Sequence, residues 1–101
     1  MKYIISENRL NSFIETWLNS EYGNLEKYNR TEFKEIFLFK NGMSKFMFNQ
    51  RGKQLYVLSE IYDFLKNMFG LDHEEIEETL IKWFDKTYGF RVKRVYRVNE
   101  I

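Results

Sequence analysis

The chain of 101 residues reads as an α+β domain: a helix, a three-stranded antiparallel meander, two further helices, and a C-terminal strand joining the same sheet. Three observations predict this. Between Thr31 and Leu58, three runs rich in aromatic and branched residues (TEFKEIFLFK, MSKFMFNQ and QLYVL) are parted by the turn signals Asn41-Gly42 and Arg51-Gly52-Lys53. On either side of the meander, apolar residues recur at helical spacing. The final FRVKRVYRV then returns to alternation.

At the N-terminus, KYII is either a short strand or a hydrophobic lead-in. Ser6 is the expected N-cap of a helix running to about Ser20, with Leu10, Phe13, Ile14, Trp17 and Leu18 forming its buried stripe. Residues 19–30 are polar and read as a connecting loop, with Tyr22, Leu25 or Tyr28 turned inward. Asn-Gly takes the two positive φ values of a type I′ turn, so Asn41 and Gly42 fix a two-residue hairpin. Counted outward from that turn, Lys40 faces Met43, Leu38 faces Lys45, Phe37 faces Phe46 and Ile36 faces Met47. Alternation then sorts Phe33, Phe37, Phe39, Phe46 and Phe48 onto an expected core face. Lys34, Ile36, Leu38, Lys40, Met43, Lys45 and Met47 share the mixed face opposite.

Ser59 is the expected cap of a second helix, whose apolar positions are Ile61, Phe64, Leu65, Met68 and Phe69, with Gly70 as its left-handed end. Asp72 and Glu75 form a capping box for a third, which buries Ile76, Leu80, Trp83, Phe84 and Tyr88 and stops at Gly89. In the last strand Phe90, Val92, Tyr96 and Val98 point one way, with Arg94 the misfit among them. Arg91, Lys93, Val95 and Arg97 point the other.

Residues 1–101 are expected to form one domain with a core that needs no metal or disulfide. There is no cysteine, which excludes disulfides and thiolate metal sites. The N-terminus turns polar too early for a signal peptide, and no apolar run approaches the ~20 residues of a membrane span. A soluble protein without membrane contact is expected. Alanine and proline are absent, while Phe, Tyr, Asn, Lys and Ile account for 44 residues, a bias that follows AT-rich coding.

The net charge of +1 hides a segregation: residues 31–58 carry +3, residues 59–88 carry −5 and residues 89–101 carry +3. Lys34, Lys40, Lys45, Arg91, Lys93 and Arg97 are therefore candidates for a basic, anion-attracting sheet face. The competing account is a solvated face whose lysines guard the sheet edge. Glu74, Glu75, Glu77 and Glu78 make an acidic surface that could engage a basic host factor, or that simply suits a first helical turn. Catalysis is not expected. His73 is the sole histidine, no serine sits in a nucleophile elbow and no Gly-rich phosphate loop occurs, so neither cofactor nor metal is implied.

The opening MKYIISENRL and the half LYVLSEIYDFLKNMFGLDHEEIEETLIKWFDKTYGFRVKRVYRV resemble small uncharacterised proteins of tailed bacteriophages, marine ones especially. The resemblance implies a viral protein of the host cytoplasm or virion and carries no activity. The expectation is a non-catalytic accessory protein that binds a macromolecule: another copy, a host protein or a virion component. A nucleic-acid binder using the basic face is the alternative, and an inhibitor using the acidic helix is a third.

Overall fold

The computed structural model describes residues 7–101. Helix α1 (Glu7–Tyr22) is followed by β1 (Glu26–Arg30), a short 3-10 turn, then β2 (Glu35–Lys40), β3 (Met43–Asn49) and β4 (Gln54–Leu58). Two helices, α2 (Ser59–Phe69) and α3 (His73–Tyr88), lead to β5 (Arg94–Val98). The α+β class and the order from meander through paired helices to a final strand are as expected. Residues 2–5, read as a short strand or a hydrophobic lead-in, and the Ser6 cap lie outside the described residues.

Among the described residues the sheet has five strands in the order β1-β2-β3-β4-β5, antiparallel except for the parallel pair β4 and β5. The α2–α3 hairpin supplies the crossover that a parallel neighbour requires. One strand was not foreseen. Residues 26–30, expected to be loop, pair with β2 as an exposed edge strand whose side chains carry no apolar alternation. Ser59 is not a cap either: it is the first helical residue, and Leu58 holds the cap position with no side-chain hydrogen bond. The other helix ends follow local chemistry. Asp72 accepts from the Glu75 N–H at 2.9 Å, and Glu75 accepts from the Asp72 N–H at 3.0 Å. Gly70 and Gly89 take the left-handed conformation at φ 66° and 73°.

The hairpin turn forms as expected, with Asn41 at φ 53° and Gly42 at φ 78°. Its register does not run on unbroken. Lys40 faces Met43 and Phe39 faces Ser44, but Leu38 faces Phe46, Phe37 faces Met47 and Ile36 faces Phe48. Lys45 is the extra residue of a β-bulge, and one extra residue exchanges the faces of everything beyond it. The expected five-phenylalanine core is thereby divided. Phe46 and Phe48 are buried, together with Ile36 and Leu38 from the supposed mixed face, whereas Phe37 and Phe39 are half-exposed on the other side and Phe33 is 51% exposed.

All three helices pack on one side of the sheet. Tyr22 of α1 and Phe84 of α3 both meet Phe46 edge-on, at ring separations of 5.4 and 4.9 Å, while Phe90 stacks on Phe48 at 4.8 Å. Ile14, Leu18, Ile61, Leu65, Ile76 and Leu80 complete the layer between helices and sheet. Phe13 of the expected α1 stripe and Met68 of α2 remain exposed. The segment before β5 also departs from alternation: Phe90, Val92 and Val95 are all buried, so the side-chain phase changes where the strand begins at Arg94.

Candidate binding face

The opposite side of the sheet is covered by no helix of the described residues. The register places Tyr28 against Phe37, Phe37 against Met47, Met47 against Tyr56, and Tyr56 against Tyr96. These five side chains form one continuous row across all five strands, about 19 Å long at the usual strand spacing. Tyr28 is 59% and Tyr96 41% exposed; Phe37, Met47 and Tyr56 are half-buried. Tyr56 and Tyr96 stack at 5.4 Å with 23° between their planes, and Phe37 lies 6.4 Å from both Tyr28 and Phe39.

Two residues further along every strand, on the same face, runs a polar row of Arg30, Glu35, Asn49, Gln54 and Arg94. Arg30 lies over the Phe33 ring at 4.3 Å and 3.8 Å from Glu35. The Gln54 side-chain Oε1 accepts from the Tyr56 hydroxyl at 3.2 Å. Asn49 Oδ1 accepts from the backbone N–H groups of Arg51 and Gly52, at 3.0 and 3.2 Å, which holds the β3–β4 turn.

Beyond that row the strands end in a basic rim. The Gln50 N–H donates to the Lys34 carbonyl at 2.8 Å, and the Lys93 N–H to the Lys53 carbonyl at 2.7 Å. These two bonds bring Lys34, Arg51, Lys53 and Lys93 to one end of the sheet, beside Arg30 and Arg94. Arg94 reaches Glu77 at 3.4 Å. Among the described residues, no carboxylate lies within 4.0 Å of the charged ends of Lys34, Arg51, Lys53 or Lys93.

The six cations singled out by sequence are not gathered on one face. Lys34 and Lys93 belong to the rim, and Arg91 is exposed on the connection entering β5. The other three turn to the helix side. Lys40 meets Glu21 at 3.4 Å and lies over the Tyr22 ring, while Lys45 meets Glu60 at 3.0 Å. Arg97 makes a two-pronged bond to Asp63 at 2.9 and 2.8 Å. That fork holds the Asp63 carboxyl below the usual carboxylate range and raises Arg97.

The acidic candidates are likewise occupied. Glu75 closes the capping box, Glu78 pairs with Lys82 at 2.8 Å, and Glu77 accepts the Val95 N–H at 3.0 Å, leaving Glu74. His73 Nδ1 sits 2.6 Å from the Tyr62 hydroxyl, and its Nε2 3.8 Å from Glu77. Among the described residues no three His, Asp or Glu side chains are grouped to hold a metal. A cleft of about 310 Å³ between α1 and α3 has an apolar floor of Leu10, Leu18, Leu71 and Trp83. Its rim carboxylates Glu15 and Glu78 are paired to Lys86 and Lys82.

Sequence reasoning missed the ring row and the rim residues Arg30, Arg51, Lys53 and Arg94. A usable signal was present: Tyr28 with Arg30, Tyr56 with Gln54, and Tyr96 with Arg94 each set a tyrosine two residues from a polar side chain, the mark of a solvated strand face. No helix of the described residues is long and apolar enough to cross a membrane. No family model, curated protein or solved structure matches the chain.

Proposed function

We propose that this protein is a non-catalytic binding module that holds a macromolecular partner on the open face of its sheet. The observation that carries this is the unbroken row Tyr28–Phe37–Met47–Tyr56–Tyr96 on a face no described helix covers. Tyrosine, methionine and arginine are the residues interfaces favour, because each offers a large apolar contact with a polar or adaptable end. The face presents rings, amides and cations rather than a nucleophile beside a base, which supports binding over chemistry. The likeness of both ends of the chain to small tailed-phage proteins supports a setting in an infected host's cytoplasm or in the virion. The acidic-helix inhibitor has less support, since three of its four carboxylates already serve the fold.

The test is affinity purification from the native host with two baits, the natural chain and a Tyr28→Ser/Tyr56→Ser/Tyr96→Ser variant shown to be folded by circular dichroism. Protein or nucleic acid retained by the first and lost from the second is the expected result. Identical retention by both baits overturns the assignment to this face.

A further inference from the structure

We propose that the partner of the open face is a single strand of nucleic acid, an inference that rests on the binding-face reading above. Three parallel rows carry it: rings, then a polar row of two amides, two arginines and the Arg30-paired Glu35, then the cations of the rim. A nucleotide strand has the same order across its width, from flat base to hydrogen-bonding edge to charged phosphate. Base stacking on aromatic rings tolerates any sequence, because every base has a flat π face, and a groove of cations follows the backbone. Sheet platforms of this kind stack roughly two or three bases. Phe37 and the stacked pair Tyr56 and Tyr96 supply surfaces for as many here.

Charge decides between occupants. Lys34, Arg51, Lys53 and Lys93 have no carboxylate in reach among the described residues, so the rim attracts a polyanion. A second copy docked through the same open face answers that charge poorly. The acids it offers there are Glu26, Glu35 and, on the turn before β2, Glu32, and Glu35 already lies 3.8 Å from Arg30. Duplex DNA fits less well, because its bases are stacked internally and a flat ring row cannot reach their faces. The bulge at Lys45 is what makes the surface: it leaves Phe37 and Phe39 on the open side and directs Lys45 to Glu60.

The experiment is fluorescence anisotropy of the full chain with labelled oligo-dT, oligo-U and a duplex control, each about 12 nucleotides, a length typical of such sites. Binding to one or both single strands, and weaker binding to the duplex, is expected. Contacts to about four phosphates give a slope of log K against log salt near −3. Tyr56→Ala and Tyr96→Ala should each weaken binding about 5- to 100-fold at unchanged salt slope. Lys34→Gln and Lys53→Gln should each reduce the slope by about 0.7. No anisotropy change at low salt, or binding that folded Tyr56→Ala and Tyr96→Ala variants leave intact, overturns the proposal. If oligonucleotides fail while the natural bait still retains a protein that the tyrosine variant loses, the nucleic-acid assignment falls and the face assignment stands. If both experiments fail, both assignments fall.

Discussion

Tyr22 shows how one side chain ties the helix layer to the sheet. Its ring meets Phe46 and Trp17 edge-on, and its hydroxyl is pushed up to about 12, first by burial and then by the Glu21 and Glu60 carboxylates nearby. Burial also raises Tyr62 and Tyr88. Tyr88 uses its hydroxyl twice, donating to the Tyr22 carbonyl and accepting the Leu25 N–H at 3.1 Å. A tyrosine in the unfolded chain ionises near pH ~10. The folded state therefore holds these protons more tightly than the unfolded state. The stability they contribute is complete below pH ~10 and is lost as pH rises toward the folded value. Denaturant midpoints followed upward from pH 9 should fall steadily, and Tyr22→Phe, which keeps the ring and removes the ionising group, should flatten that fall. An unchanged alkaline slope in Tyr22→Phe would show that its burial is not what couples folding to protons.

Among the elements, the β2–β3 hairpin is the most informative, because its turn was legible and its faces were not. Asn41-Gly42, the Asp72–Glu75 box, Gly70 and Gly89 all act over four residues or fewer, and all are visible in a linear string. A bulge is different. MSKFMFN alternates whether or not Lys45 is counted, so the string does not show which of Leu38 and Phe39 enters the helix layer. The edge strand β1 was hidden for a related reason: EKYNR buries nothing, so its pairing with β2 leaves no apolar period to read. The open ring row was lost with the bulge, since unbroken alternation puts Phe37 and Phe39 inside. A deletion of Lys45 tests this account. Without it Lys40–Met43, Phe39–Ser44, Leu38–Phe46, Phe37–Met47 and Ile36–Phe48 become one regular ladder. We expect the deleted chain to fold with the same faces, and with a loss of about 1 kcal/mol or less for the Lys45–Glu60 pair. That corresponds to at most roughly 4–8 °C in thermal midpoint for a domain of this size. Loss of the cooperative transition would mean that the bend, and not merely the face exchange, is required.

At the scale of the whole molecule, the charge segregation seen in the sequence is an arrangement between layers. Lys40, Lys45, Arg94 and Arg97 from the strands reach Glu21, Glu60, Glu77 and Asp63 on the helices, while Lys34, Arg51, Lys53 and Lys93 stay uncompensated at one end of the sheet. Most of these pairs are exposed and contribute little each. Glu77 does more than pair with a cation. Its side chain is only 15% exposed, one oxygen accepts the Val95 N–H and the other lies near Arg94, so α3 holds the first residues of β5 directly. That hold matters because, among the described residues, β5 is an edge strand whose one sheet neighbour is β4, through parallel pairing. Glu77→Ala leaves a half-buried backbone donor without its acceptor and should cost about 1–3 kcal/mol. Amide exchange at Val95 should quicken more than exchange in the meander. Glu77→Gln retains a neutral acceptor for the same N–H and should recover most of the protection, which separates the hydrogen bond from the charge. Arg94 sits beside the rim and loses its carboxylate in both variants, so oligonucleotide affinity should hold or rise while stability falls in the alanine variant. A parallel fall in stability and affinity in the glutamine variant would instead mean that Glu77 shapes the binding face itself.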